Sequence, residues 1–180
     1  MRNQLVVLIA VIFVSGCITG NAVSPYQKDY AGLTVNFRAN IVEAEKVSLK
    51  SSEKDIQVSL LSPYVKEIKI AFVPSDTNNK FYGVTGYELG YKMQVIRLAN
   101  YEQSTPISSL ILNKTEEAIK LATPEKPIIL MQADADNTEV HREGYVIYVR
   151  GKDMTENARD YTDLDLAADK LLLTLMKSGQ

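Results

Sequence analysis

Four consecutive apolar residues, Ile128, Ile129, Leu130 and Met131, constrain this chain most. Pro124 and Pro127 precede them and a polar stretch, residues 132–137, follows. Successive side chains of a strand point to opposite faces, so this run puts apolar groups on both faces and needs cover on both. It reads as the central strand of an α/β sheet. Residues 65–73, with Ile68, Ile70 and Phe72 on one face and Pro74 as a stop, form a second strand. Residues 107–112 form a third.

Residues 81–98 between them fit two periods. Val84, Tyr87, Tyr91, Val95 and Leu98 share a helical face, whereas Tyr87, Leu89, Tyr91, Met93 and Val95 alternate as in a strand. Length favours the helix. Gly83, Gly86 and Gly90 oppose it, at about 1 kcal/mol each relative to Ala, but would let a helix lie close to a sheet. A helix is expected. Asn113 and Glu116 suggest a capping box for a short helix over 114–121, with Glu117 in its first turn. Strand–helix–strand–helix–strand over 67–131 is the alternation that builds a parallel sheet. Glu143-Gly144 marks a hairpin between 138–141 and 145–150. Leu164, Ala168, Leu171 and Leu175 form one helical stripe, N-capped by Thr162 and widened by Ala167 and Leu172. Upstream, residues 33–41 alternate as a half-buried strand, and 47–49 and 56–61 read as short strands around a polar turn at 51–55. The expected fold is α/β: a mainly parallel or mixed sheet covered by about three helices, with extra N-terminal strands.

The chain has 180 residues, enough for one ordinary domain. With 46% hydrophobic and 23% charged residues it has globular rather than disordered composition. Twenty basic and 22 acidic residues leave a net charge of -2, which argues against nucleic acid as a partner because phosphate binding needs a basic surface. One Cys and one His exclude a Cys/His zinc cage, an iron–sulfur site and a disulfide framework.

The N-terminus carries an address. Arg2 precedes ten apolar residues, 5–14, which are too few to cross a bilayer and have the order of a secretory signal peptide. Val14-Ser15-Gly16-Cys17 then resembles the lipobox of prokaryotic lipoproteins: an aliphatic residue, two small residues and Cys. In that family the Cys is lipidated and becomes the first mature residue. The resemblance implies that Cys17, the sole Cys, is the lipid attachment site and that residues 1–16 are removed. Residues 17–31, with Gly20, Asn21, Ser24 and Pro25, then read as a tether, and 32–180 as a single α/β domain.

The densest polar cluster runs from Gln132 through Asp134, Asp136, Asn137 and Glu139 to His141. It follows the central strand at its carboxyl end, where open α/β sheets place ligands. Carboxylates two apart on a loop suit Ca²⁺, but the EF-hand pattern fails: Glu139 stands where Gly is needed and Tyr145 where Glu is needed. A solvated acidic loop explains the same residues. His141, the only imidazole, reads as an exposed strand residue. The chain has no Gly-x-Ser-x-Gly elbow, Gly-x-Gly-x-x-Gly or Walker loop, and no residue draws a catalytic assignment or implies a cofactor. Tyr87 and Tyr91, one helical turn apart, suit either an aromatic platform for glycans or ordinary packing. Asn113-Lys114-Thr115 is a glycosylation sequon whose Asn is also explained as a helix cap.

The C-terminal third, with Gly151-Lys152-Asp153, Thr162-Asp163 and an Ala/Leu-rich helix, looks similar to the C-terminal α/β part of archaeal surface-layer proteins. That similarity implies a structural envelope role. It departs at Gln132-Ala133-Asp134, where Gly-rich strand ends belong. The expectation is an exported, lipid-anchored envelope protein, held to the membrane through its anchor, with a non-catalytic structural or protein-interaction role. The competing expectations are a small solute- or glycan-binding lipoprotein and a metal-dependent envelope hydrolase using the acidic loop.

Overall fold

A computed structural model describes residues 24–101, 104–155 and 161–179. Strands β1 (Gln27–Tyr30) and β2 (Leu33–Asn36) form a small antiparallel hairpin. β3 (Ser48–Leu49), β4 (Ile68–Phe72), β5 (Ile107–Ile111), β6 (Ile128–Gln132), β7 (Glu139–Glu143) and β8 (Val146–Arg150) form a six-stranded sheet in the order β3-β7-β8-β6-β4-β5. All pairs are parallel except the β7–β8 hairpin. The fold is α/β with a mixed, mostly parallel sheet, as the sequence suggests.

The run 128–131 is buried on both faces. Ile129 and Met131 join the larger core with Ile70, Ile147 and Val149, while Ile128 and Leu130 join a smaller one with Ala71, Val146 and Tyr148. Helix α3 (Asn79–Tyr101) and helix α5 (Asp163–Met176) pack together on the larger side. Helix α4 (Glu116–Leu121) covers part of the other through Ala118. Of the three glycines of α3, Gly86 and Gly90 let the helix approach the sheet, whereas Gly83 faces open space. A Cβ on Gly86 would lie 3.1 Å from the Met131 methyl, and one on Gly90 3.4 Å from the Ile70 Cδ1. The helix therefore sits directly on β4 and β6. Thr162 caps α5 and forms a reciprocal box with Asp165.

Several expectations need correction. Residues 56–61 are not a strand but most of helix α2 (Glu53–Leu61). The polar turn before them is its start: the Ser52 hydroxyl accepts from Asp55 N–H at 3.1 Å, and Glu53 and Asp55 favour the positive end of the helix dipole. The strand over 33–41 ends at Asn36, because Asn40 caps helix α1 (Ile41–Lys46) by accepting from Val42 N–H at 2.9 Å. The described residues thus hold five α-helices rather than about three. At 113–116 no Asn113–Glu116 box forms: Thr115 is the N-cap, without a side-chain bond, and Glu117 instead accepts from Asn113 N–H at 3.2 Å. Residues 24–31, read as tether, include β1, whose Tyr30 is buried.

Candidate functional site

The carboxyl ends of β4, β6 and β8 meet at one end of the sheet. The connection from β4 leads outward to β5, whereas that from β6 leads the other way, towards β7 and β8. Between β4 and β6 lies the switch in direction where open sheets form a crevice. Here that crevice is closed by the protein itself. Asn78 donates to Asp134 at 2.5 Å, and the Tyr82 hydroxyl accepts from Ala133 N–H at 3.0 Å. Burial pushes the Tyr82 phenol upward. Asp134 adopts φ of 53°, a left-handed conformation that Asp tolerates better than most residues. Beside it, a polar hollow of 310 Å³ is lined by Asp136, Asn137, Glu139 and Arg150 among others. Arg150 is engaged by Gln132 at 2.6 Å and by Glu139 at 3.1 Å.

His141 does not join these carboxylates. Its ring stacks on Tyr148, with centroids 4.4 Å apart and planes 3° from parallel. Its Nδ1 lies 3.4 Å from a Glu139 oxygen, without hydrogen-bond geometry. Burial, reinforced by Arg150, lowers its pKa and keeps the ring neutral at neutral pH. Among the described residues, no three His, Cys, Asp or Glu side chains gather closely enough to hold a metal ion.

A second polar group, unseen in the sequence, lies beneath α3. Asp165 accepts from Thr162 N–H at 2.9 Å and from the Thr85 hydroxyl at 2.7 Å, and pairs with Arg38 at 3.3 Å. Asp169 accepts from Ala39 N–H at 2.8 Å and lies 3.8 Å from Lys92, which also pairs with Glu88 at 2.9 Å. Burial pushes the Asp169 carboxyl up to about 7, against the pull of the Lys92 ammonium. This network ties the segment after β2 to α3 and α5. Its signal was present: Asp165 and Asp169 stand four apart on an otherwise apolar helix, which puts both carboxylates on one side.

Tyr87 and Tyr91 occupy the outer face of α3, and they are 73% and 63% exposed. Val84 and Leu98 of the same helix are exposed as well, as is Leu33 of β2. The two tyrosines form the ridge between two grooves. One, of 510 Å³, runs between α3 and residues 104–109 and has Gly86 and Gly90 in its lining. The other, of 440 Å³, lies between α3 and β2. Of the residues singled out in the sequence, Asp134 and Asp136 share the crevice, Tyr87 and Tyr91 share the ridge, and His141 lies outside the hollow's lining but next to its Glu139. Cys17 and the signal peptide lie outside the described residues, and no described helix is long and apolar enough to cross a membrane.

Comparison with protein-family models, with curated proteins and with solved structures gives no match.

Proposed function

We propose that the chain is an exported, lipid-anchored envelope protein whose work is non-catalytic: it docks a protein partner at the membrane surface. The lipobox-like Val14-Ser15-Gly16-Cys17 supports the anchoring half of this reading. A lipid of two acyl chains on Cys17 would suffice for stable attachment, since one chain alone is marginal. The observation that carries the docking half is the ridge of Tyr87 and Tyr91, flanked by exposed Val84, Leu98 and Leu33. Contiguous exposed apolar groups of this kind mark interaction sites, and tyrosine is a favoured anchor in them. The crevice carries the reading less well, because Asp134 and Glu139 are engaged by Asn78 and Arg150 and the His141 ring is stacked on Tyr148.

The test is affinity capture of the full-length protein from its native membrane with crosslinking and mass spectrometry. A stoichiometric protein crosslinked to the α3 face, and lost in the Tyr87→Ala, Tyr91→Ala double variant at unchanged melting temperature, is the expected result. Retention of the same partner by the double variant would remove the docking face. Release of a Cys17→Ala variant from the membrane fraction tests the anchor separately. The paired tyrosines also favour a second reading, a glycan-binding lipoprotein. Glycan binding that the double variant abolishes, with no protein captured, would select it.

A further inference from the structure

Among the described residues, the outermost strand beside the tyrosine ridge, β5, has no neighbour on its second edge. In a parallel pair, alternate residues turn both backbone groups towards the neighbour and the residues between turn theirs away. Ile68 N–H donates to Pro106 O and Leu112 N–H to Phe72 O, which fixes the phase on β5. Residues 106, 108, 110 and 112 face β4. The N–H and C=O groups of Ile107, Ser109 and Ile111 therefore point outward from the sheet. Natural edges are guarded by charge, an internal proline or a bulge. Ile107-Ser108-Ser109-Leu110-Ile111 has none of these, and Ile111 is 67% exposed.

We propose that this edge is completed by β5 of a second copy of the chain, paired antiparallel about a two-fold axis at Ser109. The inference rests on the docking reading and names its partner. The register is self-consistent: Ile107 meets Ile111 of the second copy, Ser109 meets itself, and Ile111 meets Ile107. Each of these pairs joins two residues with outward backbone groups, as a hydrogen-bonded antiparallel pair requires. The side chains also match. Ile107 borders the groove next to Gly90, so Ile111 of the second copy would lie at that groove. A serine at the axis avoids a bulky self-contact. Three strand spacings would separate the two β4 strands, about 14 Å. Packed helices need only about 8–10 Å, so the two α3 helices stand apart with room between them for Tyr87, Tyr91 and the isoleucines of both copies. A foreign strand could use the same backbone groups, but this chain already carries both halves of the contact, the exposed Ile111 and the groove beside Ile107.

The test uses the full-length protein in mild detergent. Directly opposed residues of a hydrogen-bonded antiparallel pair have Cα atoms about 5.5 Å apart, within disulfide range. A Ser109→Cys variant should therefore crosslink to itself on mild oxidation, with the 109–109 bridge confirmed by mass spectrometry. Ser108→Cys, whose opposite residue is Leu110, should form at least tenfold less, and the natural chain with Cys17 alone gives the background. By sedimentation the natural chain should be a dimer and Ile111→Lys a monomer with an unchanged melting temperature. Ser109→Pro, which deletes only an outward N–H, should also be a monomer. A monomeric natural chain overturns the proposal even if it still captures another protein through Tyr87, a result that would leave the docking reading standing. A dimer that survives Ile111→Lys without a 109–109 bridge overturns it as well.

Discussion

The crevice at the strand ends and the outer face of α3 use their side chains in opposite ways. Around the crevice, polar groups close on one another: Asn78 on Asp134, Tyr82 on Ala133, and Gln132 and Glu139 on Arg150. On the outer face, Tyr87, Tyr91, Ser109 and Ile111 stand exposed on the described protomer. The position most often associated with ligands in open sheets is here a structural junction, and the exposed apolar groups lie on the sheet's flank instead. Density of polar residues in a sequence thus misdirects unless their partners are known.

The largest effect expected from perturbing this contrast is at Gly151, beside the crevice. A Cβ there would lie 2.4 Å from Leu164 N and 2.8 Å from Leu164 Cα, both backbone atoms that cannot yield cheaply. Gly151→Ala should cost about 3 kcal/mol, read as a lower denaturation midpoint, because overpacking is being forced against backbone. Asp134→Asn should cost less, about 1 kcal/mol, since it weakens one charge-assisted bond from Asn78 while keeping an acceptor. Neither should weaken partner capture by the protein that remains folded. If either does so, the crevice is part of the interaction site and the contrast fails.

The buried network gives a sharper, pH-dependent signature. Burial pushes the Asp169 carboxyl up to about 7 in the folded chain, against an ordinary value of 3.8. Between those values the folded state holds a proton that the unfolded state has lost, so this group makes stability fall as pH rises through that window and level off above it. Asp169→Asn, which can still accept from Ala39 N–H, should flatten the dependence of melting temperature on pH between 4 and 7. A slope equal to that of the natural chain would show that Asp169 is ionised throughout. The smallest effect on stability belongs to the ridge. Tyr87→Ala with Tyr91→Ala should change stability by less than about 0.5 kcal/mol, as exposed positions do, while abolishing capture. A large loss of stability there would make the tyrosines structural and weaken the contrast from the other side.

The sheet and its neighbours were legible because their signals are local and redundant. The run 128–131 demands cover on both faces, and Thr162 with Asp165 announces the start of α5. The N-terminal helices were not legible by alternation alone. Ile56, Leu60 and Leu61 look like a short strand until Ser52 is recognised as a cap that converts a polar turn into a first helical turn. Phe37 and Ala39 are buried as the alternation implies, but by a bend rather than by a continuing strand. For the site, the sequence supplied Tyr87, Tyr91 and Asp134 as candidates but not their standing. What separates them is exposure and partnership, which depend on contacts distant in the chain: Asn78 with Asp134, or Lys92 with Asp169. The free edge of β5 was equally hidden, because strand order follows from topology and not from any one strand's residues.

The β1–β2 hairpin sets how the domain would bear a mechanical load. A pull on Ser24 enters at two bonds, Ile41 N–H to Pro25 O and Phe37 N–H to Tyr26 O, at the open end of the hairpin. These bonds and the β1–β2 rungs behind them are strained in turn, as in a zipper, and not shared side by side. The bonds therefore break one after another, and residues 25–38 would release about 48 Å of contour length at roughly 3.4 Å per residue. Extension would halt where Asp169 grips Ala39. The hairpin is a fuse in series with the sheet: as it opens it takes Tyr30, Val35 and Phe37 out of the core and Leu33 away from the tyrosine ridge, so tension on the N-terminal side would reshape that flank before it reached the central strands.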